Sequence, residues 1–99
     1  MKRIEIDVAA CRNPKEFGRV LQEAILALPG HGSSIEAFVD SMVFGTMSEL
    51  SPPYMITVNG ATNPEVRAFA ERLSNAIGQA RLERRTRRGD DSEVVLKVA

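Results

Sequence analysis

The segment Tyr54-Met55-Ile56-Thr57-Val58 constrains the fold of this chain more than any other. It is almost wholly apolar, with Pro52-Pro53 before it and Asn59-Gly60 after it. A short apolar run between two turn signals reads as a strand, and the lack of alternation predicts cover on both faces. Such a strand needs neighbours, and both flanks supply them. In Arg3-Ile4-Glu5-Ile6-Asp7-Val8 the apolar residues alternate strictly, which predicts a strand half exposed to water. Glu93-Val94-Val95-Leu96-Lys97-Val98 predicts a third strand near the C-terminus. Helical patterns separate the three, so the expected order is β-α-α-β-α-β. Strands alternating with helices favour parallel pairing through right-handed crossovers. The expectation is an α/β fold, a small three-stranded parallel sheet packed with helices. At 99 residues the chain is one domain, 1-99.

Capping chemistry sets the expected helix limits. Asn13 caps the first helix, Pro14 suits its first position, and Glu16 can return a bond to the cap. Phe17, Val20, Leu21, Ala24, Ile25 and Leu28 follow at helical spacing, and Pro29-Gly30-His31-Gly32 stops them. Ser33 and Glu36 have the spacing of a capping box for the second helix, whose stripe is Ile35, Phe38, Val39, Met42 and Val43. Thr62 or Asn63 caps the third, which buries Val66, Phe69, Ala70, Leu73, Ile77 and Ala80. Gly78 inside it costs roughly 1 kcal/mol relative to Ala and invites a kink or a break. Between the second helix and the central strand, Phe44, Met47 and Leu50 offer an apolar surface for a second chain, which leaves the oligomeric state open.

Several functional classes are excluded. Cys11 is the only cysteine and His31 the only histidine, so no disulfide within the chain, multi-thiolate metal site or two-histidine zinc motif can form. Cys11 is expected to act as a small hydrophobe beside a strand. No phosphate-binding glycine loop, dinucleotide fingerprint or nucleophile elbow occurs. His31 near Ser33 and Glu36 is the one arrangement resembling a catalytic set, and nothing in the sequence fixes its geometry. The expectation is no catalytic residue, no cofactor and no metal. Apolar runs are too short to span a bilayer, and acids rather than an apolar core follow Met1-Lys2-Arg3. A cytoplasmic protein without membrane contact is expected.

Charge is balanced overall, 13 Lys and Arg against 13 Asp and Glu, but segregated along the chain. Residues 81–88 hold five Arg and one Glu, while the segments on either side are mildly acidic. Arg81, Arg84, Arg85 and Arg88 recur at three- and four-residue steps, one stripe of a helix. Cations favour the C-terminal end of the helix dipole, and Asp90, Asp91 and Glu93 follow at once, so a solvated helix end explains them. The alternative is a patch that contacts nucleic-acid phosphates or an acidic partner. No aromatic residue is interleaved in the segment, which weakens stacking on single strands.

Glu36 and Asp40 lie four apart, on one side of a helix and away from its apolar stripe. Like charges at that spacing repel by a few tenths of a kcal/mol, and no cation neighbours Asp40 on the helix. Capping and solvation would account for both. A sharper reading is an acidic knob offered to a basic partner by a loop-helix unit.

The stretch Leu28-Pro29-Gly30-His31-Gly32-Ser33-Ser34-Ile35-Glu36-Ala37-Phe38-Val39-Asp40 resembles the inhibitory loop and second helix of the barstar-like family, small intracellular inhibitors of microbial ribonucleases. Leu28, Pro29, Gly32, Ala37 and Asp40 match the family pattern. Glu36 stands where the family has Asp, Ser34 where it has Asn, and His31 where it has an aromatic contact residue, in a loop one residue shorter. The resemblance implies a barstar-like fold and a ribonuclease or toxin partner. It also implies a partner-binding set of His31, Gly32, Ser34, Glu36 and Asp40, with the carboxylates taking the place of a scissile phosphate. The chain departs from the family in its neutral total charge. It departs again at Arg84-Arg85-Thr86-Arg87-Arg88, where the family carries an acidic contact late in the long helix.

Overall fold

The computed structural model describes residues 1–99. Three strands, β1 (Lys2–Asp7), β2 (Tyr54–Asn59) and β3 (Val94–Val98), alternate with three helices, α1 (Pro14–Ala24), α2 (Ile35–Phe44) and α3 (Pro64–Arg88). The chain order is β1-α1-α2-β2-α3-β3, and the strands form one parallel sheet with β2 in the middle. This is the expected α/β architecture.

Sheet register explains the core. Ile4, Ile56 and Leu96 form one row across the sheet, and Ile6, Val58 and Val98 the next. Along β2, Tyr54, Ile56 and Val58 are buried, whereas Met55, Thr57 and Asn59 are only half-buried. So β2 is covered on one face, contrary to the expectation of cover on both. Both crossovers step the same way across the sheet, and right-handed crossovers of that kind lay their helices on one side. The bare side carries exposed Arg3, Glu5 and Lys97 around half-buried Met55, Thr57 and Val95.

Helix ends depart from expectation in ways that shape the site. Asn13 Oδ1 does accept from the Glu16 amide at 2.9 Å, but the Glu16 carboxylate returns to the Arg12 amide at 2.7 Å rather than to the cap. That carboxylate also pairs with the Arg12 guanidinium, whose hydrogen bond holds its pKa below the usual range. Helix α1 then stops at Ala24, short of the Pro29-Gly30 signal. The Leu26 amide bonds the Glu23 carbonyl at 3.2 Å and the Ala27 amide bonds the Gln22 carbonyl at 2.9 Å. These two bonds are a Schellman closure, with Leu26 in the left-handed position (φ 56°) that glycine usually fills.

Helix α3 runs unbroken through Gly78 for 25 residues, capped by Asn63 rather than Thr62. Asn63 Oδ1 accepts from the amides of Glu65 at 2.9 Å and Val66 at 3.2 Å. Buried Leu73, Ile77 and Ala80 bracket Gly78 and hold the helix to the core, so its weak propensity does not break it. Cys11 is buried, and that burial, with the charges of Glu16 and Asp7, pushes its thiol pKa up. It packs as a small hydrophobe.

Candidate binding face

The loop between α1 and α2 is tied down on two sides. Gln22, on α1, donates through Nε2 to the carbonyls of His31 at 3.0 Å and Gly32 at 3.1 Å, and lies 3.3 Å from Ser33 Oγ. On the other side, residues 25–28 run antiparallel to residues 47–50. The Leu28 amide donates to the Met47 carbonyl at 2.8 Å, Glu49 to Leu26 at 3.0 Å, and Leu50 to Ile25 at 3.2 Å. Leu50 is buried by this pairing, which removes it from the apolar surface expected of that loop.

Gly18 moves the helix cap by one residue. A β-carbon on Gly18 would lie 3.2 Å from Ser33 Cβ, so its absence lets Ser33 sit against α1. Ser34 then caps α2, its Oγ accepting from the Ala37 amide at 3.1 Å. The expected capping box of Ser33 and Glu36 therefore does not form. Its failure frees the Glu36 carboxylate, which sits in the first turn with no hydrogen bond and no ion pair. The Asp40 carboxylate one turn on is equally free, and both residues are exposed.

His31 turns partly inward. Its Nε2 meets Ser41 Oγ, its Nδ1 meets the Gly32 carbonyl, and its ring tilts over Phe38 with centroids 5.1 Å apart. Ser41 is buried and donates to the Ala37 carbonyl at 3.0 Å. Both imidazole nitrogens are thus engaged within the chain, and the half-buried ring shapes the loop.

Two depressions share a wall made of Gly30 and His31. The larger, about 440 Å³, lies between α1 and the loop and is floored by Leu26, Ala27 and Leu28. The smaller, about 160 Å³, is lined by Asp40, Ser41, Thr46 and Met47. Glu36 faces elsewhere, onto a groove between α2 and α3 lined by Ile35, Val39, Ala80 and Leu82. The expected set of His31, Gly32, Ser34, Glu36 and Asp40 is therefore gathered on one loop-helix unit, with its two carboxylates at different depressions.

Met47 is exposed, as expected of the apolar surface after α2, whereas exposed Leu26 was not foreseen. Both hold positive φ, 59° at Met47 and 56° at Leu26, and Leu28 is exposed as well. Their left-handed backbone has no signature in residue type, because Gly or Asn normally marks it.

The basic segment divides in two. The Arg81 guanidinium forks onto Asp91 at 3.0 and 2.8 Å and bonds the Val94 carbonyl at 3.1 Å. The Arg84 guanidinium forks onto Asp90 at 3.1 and 3.3 Å and bonds the Val43 carbonyl. These hydrogen bonds hold Asp90 and Asp91 below the usual carboxylate range. Arg85, Arg87 and Arg88 are exposed and make no hydrogen bond or ion pair. Phe44, the last residue of α2, supplies the aromatic ring the segment itself lacks. Its centroid lies 5.9 Å from Arg84 Cζ and 5.6 Å from Arg88 Cζ.

No group of three or more His, Cys, Asp or Glu side chains is placed to hold a metal ion. No helix is long and apolar enough to cross a membrane. No family model and no curated protein matches the chain.

Proposed function

We propose that the protein is an intracellular, immunity-type inhibitor of a ribonuclease or related toxin, acting by contact rather than catalysis. The loop of residues 28–32 and the exposed side of α2 would cover the enzyme's active site. Asp40 and Glu36 would meet the cations that otherwise hold RNA phosphate.

One observation carries this reading: the Glu36 and Asp40 carboxylates are unengaged on α2, and Asp40 stands beside a loop tied down by Gln22 and the 47–50 segment. Unpaired carboxylates on a preorganised frame bind cations without first breaking internal bonds or ordering a loop. Complementary charge also speeds encounter with a basic enzyme. Exposed Met47 shares a depression with Asp40, and exposed Leu26 and Leu28 line the adjoining one, the composition of a protein contact more than of a phosphate contact.

Co-expression with nuclease toxins encoded beside the gene, followed by co-purification and an RNA-cleavage assay, tests the proposal. A stable complex that no longer cleaves RNA is expected. Asp40→Lys should weaken it at least about 30-fold, the lower range for breaking a charge pair at an interface centre. A complex unchanged by Asp40→Lys would show that the interface lies elsewhere. Absence of a complex with any such toxin would remove the proposal.

A further inference from the structure

The C-terminal end of α3 has chemistry the inhibitory face does not use. Arg85, Arg87 and Arg88 are exposed there with no hydrogen bond or ion pair. The two acids that follow the helix are already committed, Asp90 to Arg84 and Asp91 to Arg81. Phe44, on α2 and 37% exposed, shares a depression of about 210 Å³ with Glu83, Arg84, Arg87 and Arg88.

The two guanidiniums near the ring differ in freedom. Arg84 is pinned by Asp90 and by the Val43 carbonyl, so its plane stays near the ring. Arg88 touches the ring and nothing else that could hold it. It can move to a phosphate and leave the ring open for a flat ligand. A planar π system beside a fixed guanidinium and several mobile ones suits a nucleobase joined to phosphates.

From this juxtaposition we infer that Phe44 with Arg85, Arg87 and Arg88 binds single-stranded nucleic acid, one base stacking on the ring and the arginines meeting neighbouring phosphates. An acidic polypeptide would engage the arginines but would gain nothing from the ring. A duplex would keep its bases stacked on one another and away from it. Arg81 and Arg84, two of the four arginines the sequence pattern offers, do not contact phosphate here, because their forks are occupied. Glu83 opposes binding from the rim of the same depression.

Fluorescence anisotropy with labelled oligo(U) and oligo(dT) of about 12 nucleotides, over a range of salt, tests this. With about three phosphates neutralised, affinity should fall roughly 20-fold between about 50 and 200 mM salt. Phe44→Ala should weaken binding about tenfold and Phe44→Tyr should restore it, since stacking needs only the ring. Arg87→Glu combined with Arg88→Glu should abolish binding, while Glu83→Gln should strengthen it. All these residues are at least partly exposed, and a circular-dichroism melt of each variant checks that the fold is kept. The inference is overturned if neither oligonucleotide binds at about 20 mM salt. It is also overturned if Phe44→Ala binds like the parent, or if polyglutamate competes as well as the oligonucleotides. The oligonucleotide assay needs no toxin and the Asp40→Lys assay needs no oligonucleotide, so this inference and the inhibitory proposal stand or fall separately.

Discussion

Leu26 and Met47 place large apolar side chains in water on a backbone that favours glycine. The left-handed conformation costs an ordinary residue roughly 1–2 kcal/mol. Part of that cost returns to glycine as greater freedom in the unfolded chain. Leu26→Gly should therefore raise stability by about 0.5–1 kcal/mol, read from the urea midpoint at constant m. In the proposed complex the same change should weaken binding, because the apolar contact is gone. A variant that is more stable yet binds less well is the signature expected if the strain serves the surface. Tyr54 is the reverse case, a residue fully inside with a hydroxyl that has no hydrogen-bond partner. Burial without a partner pushes its pKa up and carries a desolvation cost. Tyr54→Phe keeps the ring and should leave stability unchanged or raise it by up to about 1 kcal/mol. A loss beyond that in thermal unfolding would show that the hydroxyl is bonded after all. At this scale Glu36 and Asp40 were legible, since helical spacing alone put them outside. Met47 was legible as exposed apolar surface but not as left-handed, and Leu26 and Gln22 were not legible at all. Nothing marks a leucine as left-handed, and nothing in a glutamine names the carbonyls it will reach nine and ten residues later.

Helices follow their capping chemistry, and they miss it where tertiary packing intervenes. Gly18 admits Ser33, Ser33 yields the cap to Ser34, and Glu36 is released from a capping box that the sequence spells correctly. In α3, the packing of Ile77 and Ala80 overrides Gly78, and a β-carbon at Gly78 would touch nothing within 4 Å. Gly78→Ala should thus stabilise by about 1 kcal/mol and raise the melting temperature by roughly 4–8 °C. No change on calorimetry would mean that the helix is already distorted there. The junction of α3 with β3 depends on Arg81–Asp91 and Arg84–Asp90. Both aspartates have folded pKa values below their unfolded values. Their contribution is complete above about pH 4, the unfolded value, and is lost as pH falls through the lower folded values. Asp91→Asn should flatten the acid limb of the stability curve. Amide exchange in β3 should then become less sensitive to acid than in the parent.

The whole molecule has one covered sheet face and one bare face, which follows from the single direction of its crossovers. The two sides of β2 should therefore tolerate substitution very differently. Ile56→Ala on the covered side should cost about 3 kcal/mol, whereas Met55→Ala on the bare side should cost under about 1 kcal/mol in chemical denaturation. Strand order and parallel pairing were legible because helices separate every pair of strands. The bare face was not, because Met55 and Thr57 are apolar or β-branched and break the alternation that marks a one-sided strand. Charge belongs to this scale too. Glu36, Asp40 and Phe44 follow one another at four-residue steps along α2, so that helix runs from free carboxylates to a ring flanked by arginines.

The same parallel pairing governs how the chain comes off the ribosome. Lys2 pairs with Tyr54, and Tyr54 with Val94, so no two strands can meet until more than half of the chain has been made. The central strand is the only partner of either edge, which leaves no hairpin to nucleate early and gives folding a high contact order. Synthesis stopped before Asp90 leaves β2 with one neighbour and Arg81 and Arg84 with no aspartates to grip. A truncated product is thus an open chain for proteases, and the intact face is presented only by molecules whose last strand has docked.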